Sequence, residues 1–301
     1  MKKKLRKVWR WIVRIVLIII LLPVVILLGI RIYGGMKMRK SDQELKTFLS
    51  QHHVNGVLDT LKLPHRNINY LLCSNGIKKK DAIIFVHGSP GSMDAFLEYM
   101  ADTTLLSKAD LITYDRPGFG HSGFGRAEKS LTAQSYVLTE LMRSLPYKRY
   151  WLVGHSYGGP IIVYNAMRRY GKVAGLGIIA GSVSPELEPR AKWRKWINLP
   201  LLKQLWAIPL RVSNEELMPL KNDLMMIEDD WDRIRIPVSL MHGTLDVLVP
   251  FDNLAYAKEK LVNADTVRTL IFEGENHFIV WSHKEEIVKE IVALMQSRKD
   301  P

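Results

Sequence analysis

Residues Tyr150–Pro160 read YWLVGHSYGGP. A β-prone apolar run, Tyr150 to Val153, meets Gly154-His155-Ser156-Tyr157-Gly158, and an apolar stretch with helical spacing follows. Strand, sharp turn and helix in that order form the G-x-S-x-G nucleophile elbow. The two glycines remove side-chain clashes, so the backbone can turn tightly enough to expose a serine hydroxyl beside the first N–H groups of a helix. The five-residue pattern alone arises by accident in about one chain in ten of this length. Its weight therefore depends on whether the rest of the chain supplies a base, an acid and an oxyanion hole in the right order.

The C-terminal part supplies the base. His277, in FEGENHF, follows the apolar run VRTLIF and precedes an amphipathic stretch, EEIVKEIVALM, so it falls in the loop after a last strand. Asp246, in VSLMHGTLDVLVP, also follows a strand-like run and is the expected acid, accepting the His277 Nδ1–H and stabilising the imidazolium. Asp252 is its nearest competitor and reads as a helix cap. The chain order Ser156, Asp246, His277 is that of α/β-hydrolases, unlike the orders of chymotrypsin or subtilisin. An oxyanion hole needs two N–H donors aimed at the developing charge. Tyr157 offers one from the elbow. Ser89, in the HGSPGS turn after AIIFV, offers the second through its backbone.

Together these pieces resemble the α/β-hydrolase superfamily, and within it the branch of prolyl aminopeptidases, epoxide hydrolases, dehalogenases and esterases that carry a helical cap. The resemblance covers about residues 65–298 and rests on HGSPGS, YDRPGFGHSG, GHSYGG, HGTLDVLVP and GENHF. It implies scaffold roles for Asp115, Arg116, Pro117, Gly118 and Gly120, and structural or site-lining roles for His87, His121 and His155. Epoxide hydrolases and dehalogenases of this branch carry aspartate at the elbow; Ser156 in its place disfavours alkyl-enzyme chemistry and favours acyl transfer to serine. The resemblance requires no cofactor and no metal.

Outward from the elbow, short β-rich runs alternate with helical stretches: NINYLLCS, AIIFVHG, DLITYD, YWLVGHS, LGIIAG, VSLMHG and VRTLIFEG. Such alternation predicts an α/β domain with a mostly parallel central sheet. It breaks over 184–232, where Trp193, Trp196, Trp206 and Trp231 accompany Pro185, Pro189, Pro200, Pro209 and Pro219. This stretch reads as an inserted helical cap, packed on the main domain with a solvated basic face or lining an apolar pocket.

The chain has 301 residues, 47% of them hydrophobic, and a formal net charge of +13. Residues 1–40 hold 11 of the 43 basic residues and no acidic ones, so the rest, with 32 basic and 30 acidic, is near neutral and carries no nucleic-acid stripe. The single cysteine, Cys73, excludes an internal disulfide and offers no metal cluster. The charge concentrates around an apolar run, Ile15–Ile30, that is long enough with its flanks to span about 30 Å as a helix. A buried soluble helix would need a polar face elsewhere on its surface, and a cleaved signal peptide would show a small-x-small site where RIYGGMKMRK stands. A retained transmembrane anchor is expected. Seven basic residues precede the run and four follow it, so the N-terminus is expected in the cytoplasm and the catalytic domain outside.

The expected organisation is a basic cytoplasmic tail (1–10), a transmembrane signal anchor (11–33), a juxtamembrane stalk or packing helix (34–64), hydrolase core (65–183), helical cap (184–232) and hydrolase core again (233–301). The expected activity is serine-mediated hydrolysis of carboxylic esters, thioesters or lipid acyl groups. A prolyl-type aminopeptidase is the alternative enzyme, with Glu186, Glu188, Glu215 and Glu216 as four undistinguished partners for a substrate amine. A non-catalytic binding protein on the same fold is the alternative of another class. The acyl group, hydrolysis against acyl transfer, and the oligomeric state are not legible.

Overall fold

The computed structural model describes residues 2–168, 172–188, 194–197, 199, 202–204 and 206–297. The expected cap residues Trp193, Pro189 and Pro200 lie outside them. The chain opens with α1 (Lys2–Lys37), a single helix that contains Arg6–Gly29, long and apolar enough to cross a membrane and not buried against protein. Helix α2 (Asp42–Gln51) starts in a capping box, with the Ser41 hydroxyl accepting from Glu44 N and the Glu44 carboxylate accepting from Ser41 N. It ends where His53 adopts a positive φ of 55°, and the chain turns into β1 (Asn55–Leu63).

Here the structure departs from the expected stalk. Residues 55–63 pair antiparallel with β2 (Arg66–Ser74) over nine positions, from Asn55↔Ser74 to Leu63↔Arg66. The core therefore begins about ten residues earlier than expected. This edge strand buries only one side, so its sequence, NGVLDTLKL, alternates and lacks the continuous apolar run of a central strand.

Then follow β3 (Asp81–Val86), the short helices α3 (Leu97–Met100) and α4 (Thr103–Lys108), β4 (Asp110–Tyr114), α5 (Leu131–Ser144), β5 (Arg149–His155), α6 (Gly158–Met167) and β6 (Val173–Ile179). After the cap come β7 (Val238–Gly243), α9 (Asp252–Lys260), β8 (Val267–Phe272), α10 (Ile279–Ser282) and α11 (Lys284–Gln296). The eight strands form one sheet in the order β1-β2-β4-β3-β5-β6-β7-β8. The two pairs made by β2 are antiparallel and the rest are parallel. Strands β3, β4 and β7 are buried along their whole length, which explains their unbroken apolar runs. Cores pack on both faces: Leu138, Ile161 and Val238 on one, Phe85, Trp151 and Ile287 on the other. Cys73 is buried and its thiol is pushed up to about 12, an inert state.

The cap contains α7 (Arg194–Ile197), α8 (Ile208–Ile227) and a 3-10 turn, Glu228–Arg233. Trp231 is buried against the main core, whereas Trp196 is exposed. The link from α1 to the body is short. Met38 O accepts from Ser92 Oγ at 3.0 Å, Arg39 Nη1 donates to Gly120 O at 2.7 Å, and the Arg39 guanidinium lies 4.2 Å above the Phe124 ring.

Candidate active site

Parallel strands all present their C-terminal ends on one side of a sheet, and that side is where such folds open their crevices. Ser156 follows β5, Ser89 follows β3, and Asp246 and His277 follow β7 and β8. Ser156, Ser89, Tyr157 and His277 line one cavity of about 420 Å³. Asp246 lies behind His277, out of the cavity wall: its Oδ2 accepts from His277 Nδ1 at 2.6 Å.

The elbow has the geometry its glycines suggest. Ser156 sits at φ 54°, the left-handed region in which a non-glycine residue stores about 1–3 kcal/mol. Its N–H donates to Ile179 O and its carbonyl accepts from Gly159 N, both at 2.9 Å, so the corner is over-determined by β6 and the start of α6. A Cβ at Gly158 would run into Val86 O. A Cβ at Gly88 would lie 3.0 Å from the Ser156 Cβ, so the turn after β3 also depends on an absent side chain.

Asp246 is gripped on both oxygens. Oδ1 accepts from Leu248 N at 2.9 Å and Val249 N at 2.8 Å, while Oδ2 faces His277 and, at 3.2 Å, His242 Nε2. Burial raises its pKa, but the hydrogen bonds from His242, His277 and Val249 N outweigh burial and hold the carboxyl below the usual carboxylate range. With Nδ1 given to Asp246, His277 presents Nε2 as its remaining ring nitrogen. His155 fixes the imidazole from below: its Nε2–H donates to His277 O at 3.2 Å and the two ring centroids are 4.8 Å apart. Burial, then the neighbouring His277, lower the His155 pKa to about 3, so it stays neutral.

The remaining expectations sort clearly. His155 lines the cavity, His87 is buried behind the Gly88 turn, and His121 lies away from the site with Nε2 3.1 Å from Lys40 O. Asp115 has a scaffold role: its oxygens accept from Met93 N at 2.8 Å and His121 N at 2.7 Å, and burial raises its pKa to about 6. Of the four cap glutamates, Glu188 alone lines the cavity. Glu186 is exposed, Glu215 lies 3.4 Å from Lys129 and Glu216 is paired with Arg116. Ser182 Oγ donates to Glu188, and burial raises the Glu188 pKa.

Two contributors were not legible as such in the sequence. The one mark of His242 in the sequence is the HG step that closes β7. Arg194, from the cap, shares the cavity wall with Glu188.

Residues 81–208 match the family model of the alpha/beta hydrolase fold. A 2-succinyl-6-hydroxy-2,4-cyclohexadiene-1-carboxylate synthase from Photorhabdus laumondii is 31% identical over 114 residues, 38% of this chain and 39% of that relative. The match thus spans about two fifths of that relative's length. Among solved structures, a membrane phospholipase A described as a bacterial virulence factor superposes with a TM-score of 0.62 at 16% identity, over 98% of both chains. An esterase from Exiguobacterium antarcticum also gives 0.62, at 18% identity, over 80% of this chain and all of its own. The elbow after β5, the sheet order and the matched segment agree, and the chain has the α/β-hydrolase fold.

Proposed function

We propose that the protein is a membrane-anchored serine hydrolase that cleaves carboxylic esters, thioesters or lipid acyl groups through a covalent acyl-enzyme. The observation that carries this reading is the 2.6 Å contact of His277 Nδ1 with Asp246 Oδ2 behind a cavity that Ser156 also lines. Ser156 Oγ attacks the acyl carbonyl carbon while His277 Nε2 takes the hydroxyl proton, and Asp246 stabilises the imidazolium. The N–H groups of Ser89 and Tyr157 receive the tetrahedral oxyanion, Tyr157 at the electropositive start of α6. Collapse expels the alcohol or thiol, which leaves with the proton from His277. Water then attacks the acyl-enzyme, losing its proton to His277, and the acid departs as Ser156 recovers the proton.

Hydrophobic acyl groups suit the walls. Leu217, Leu248, Val249, Phe278 and Trp281 line the cavity, and the adjoining Leu245 and Val247 are exposed. Similarity to the membrane phospholipase A extends through α1, which supports an anchor. The excess of basic residues before the span favours a cytoplasmic N-terminus and an external catalytic body.

A prolyl-type aminopeptidase is the second reading, favoured by Glu188 in the cavity wall. Arg194 in the same wall counts against it, because a cation beside Glu188 competes with a substrate ammonium group.

The test is hydrolysis of p-nitrophenyl esters, acetate through palmitate, by the full chain in detergent micelles beside Ser156→Ala. Turnover by the wild type and none by Ser156→Ala is expected, with stoichiometric labelling of Ser156 by a fluorophosphonate. Turnover of N-terminal proline amides but of no ester would favour the second reading. Two folded proteins with neither activity nor labelling would leave a binding role.

A further inference from the structure

Arg116, two residues after the end of β4, is fully buried, and so is its partner Glu216 on α8. All five guanidinium N–H groups are engaged. Nε donates to His87 O at 2.9 Å; Nη1 donates to Glu216 Oε2 at 2.8 Å and Gln134 Oε1 at 3.2 Å; Nη2 donates to Glu216 Oε1 and Gly88 O, each at 2.9 Å. One face of the group lies 4.7 Å from the Tyr157 ring and another contact, at 4.9 Å, is with Phe119. Gln134 Nε2 also donates to Glu216 Oε2 at 2.7 Å, so the carboxylate is fixed from two sides.

The Gly88 carbonyl belongs to the same peptide unit as the Ser89 N–H. A trans peptide is planar and rigid, so fixing its oxygen fixes the direction of its N–H. Gly88 O takes a second hydrogen bond, from His87 Nδ1 at 2.8 Å. His87 Nδ1 is the protonated nitrogen because Nε2 accepts from Arg116 N at 3.0 Å. Two donors on one carbonyl, one of them cationic, polarise the peptide and make its N–H a stronger donor. Resting on the serine-hydrolase reading, we propose that Arg116 is a positioning residue for the oxyanion hole and that Glu216 links it to the cap. Arg116 orients and polarises the Ser89 donor, packs against the Tyr157 ring, and is itself held by a carboxylate from α8. A substrate that shifts α8 thereby changes the strength of the oxyanion hole.

Buried ion pairs are commonly replaceable by apolar residues with little loss of stability, whereas removing one partner leaves an uncompensated charge. The informative variant is therefore the pair Arg116→Met/Glu216→Met. Two readouts separate positioning from mere support: the split of kcat from KM on a short water-soluble ester, and the ionisation of a trifluoromethyl ketone adduct followed by 19F NMR. In that adduct Ser156 Oγ bonds to the ketone carbon, its proton passes to His277, and the former carbonyl oxygen becomes the oxyanion. The double variant is expected to lose about 10- to 100-fold in kcat, less than deletion of a donor itself, with KM within about threefold. Its adduct should ionise at least about one pH unit higher than that of the wild type. A folded double variant with wild-type kcat and wild-type adduct ionisation overturns the proposal.

If the double variant does not fold, Arg116→Lys serves. One ammonium group cannot hold Gly88 O, His87 O and both Glu216 oxygens, so the same two changes are expected in smaller measure, and their absence overturns the proposal. A wild-type protein that turns over no ester and forms no adduct overturns the hydrolase reading, and the positioning role with it. Wild-type activity with unmoved variants overturns the positioning role alone.

Discussion

His242 Nε2 lies 3.2 Å from Asp246 Oδ2, the oxygen that His277 Nδ1 approaches at 2.6 Å. Nε2 of His242 is also 3.0 Å from Val249 O, so its N–H is shared between a carbonyl and the carboxylate. The acid of the proposed triad is thus tied to the strand that carries it. His242→Ala removes that tie without touching the cavity. We expect kcat for a short ester to fall about tenfold with KM within about twofold, measured by steady-state kinetics. An unchanged kcat would mean that the Leu248 and Val249 N–H groups hold Asp246 by themselves.

Gly158→Ala tests the elbow without altering a reacting group. Its added Cβ meets Val86 O, a backbone atom of the central strand that cannot swing away. The variant should lose about 3 kcal/mol or more of stability, or retain its fold with α6 displaced and Ser156 no longer labelled by fluorophosphonate. Urea titration and labelling distinguish the two.

Two buried neutral histidines predict a pH dependence of stability. His155 has its pKa depressed to about 3, by burial first and then His277; His87 is held well below its ordinary value, by burial first and then Arg116. In the unfolded chain both take a proton near pH 6.5. Their neutral burial therefore favours the fold above pH 6.5, and the advantage is lost as pH falls below that value, through about 3 for His155. Each should contribute a slope of about 1.4 kcal/mol per pH unit across that window. Urea midpoints at pH 7.5, 6.5, 5.5 and 5.0 check the slope, and His155→Gln, which keeps a donor for His277 O, should flatten it by about half.

Val247, 88% exposed, and Leu245, 62% exposed, flank Asp246 in the loop after β7, beside the cavity wall. On the lipid reading this loop meets the bilayer. Val247→Asp should leave turnover of a water-soluble ester within about twofold and lower turnover of an ester embedded in vesicles about tenfold. Equal effects on both substrates would contradict contact between this loop and lipid.

Strands β3 to β7 were legible because burial on both faces leaves an apolar run that a polar residue ends, as VSLMHG ends at the turn before Asp246, and the partly buried β2 and β8 still carry the β-prone runs NINYLLCS and VRTLIFEG. Strand β1 was not, since an edge strand keeps one side polar and NGVLDTLKL follows a helix with a similar mix. The expected triad residues were proposed from their motifs, their places after strand-like runs and their order, and the structure brings His277 against Asp246. The Arg116–Glu216 pair was unreadable: the resemblance implied a scaffold role for Arg116, but its partner stands 100 residues away among four undistinguished cap glutamates until the fold buries both. The distinction among the four cap glutamates likewise exists only in three dimensions.

The chain passes from α1 into contacts with Ser92, Gly120 and Phe124 within Met38 and Arg39. A tether this short has no slack. On the proposed topology the body cannot sample the volume above the membrane as a domain on a long linker would. Its encounters with acyl substrates reduce to a search in two dimensions, at a rate set by lateral diffusion and by the surface density of substrate, and insensitive to stirring of the surrounding solution.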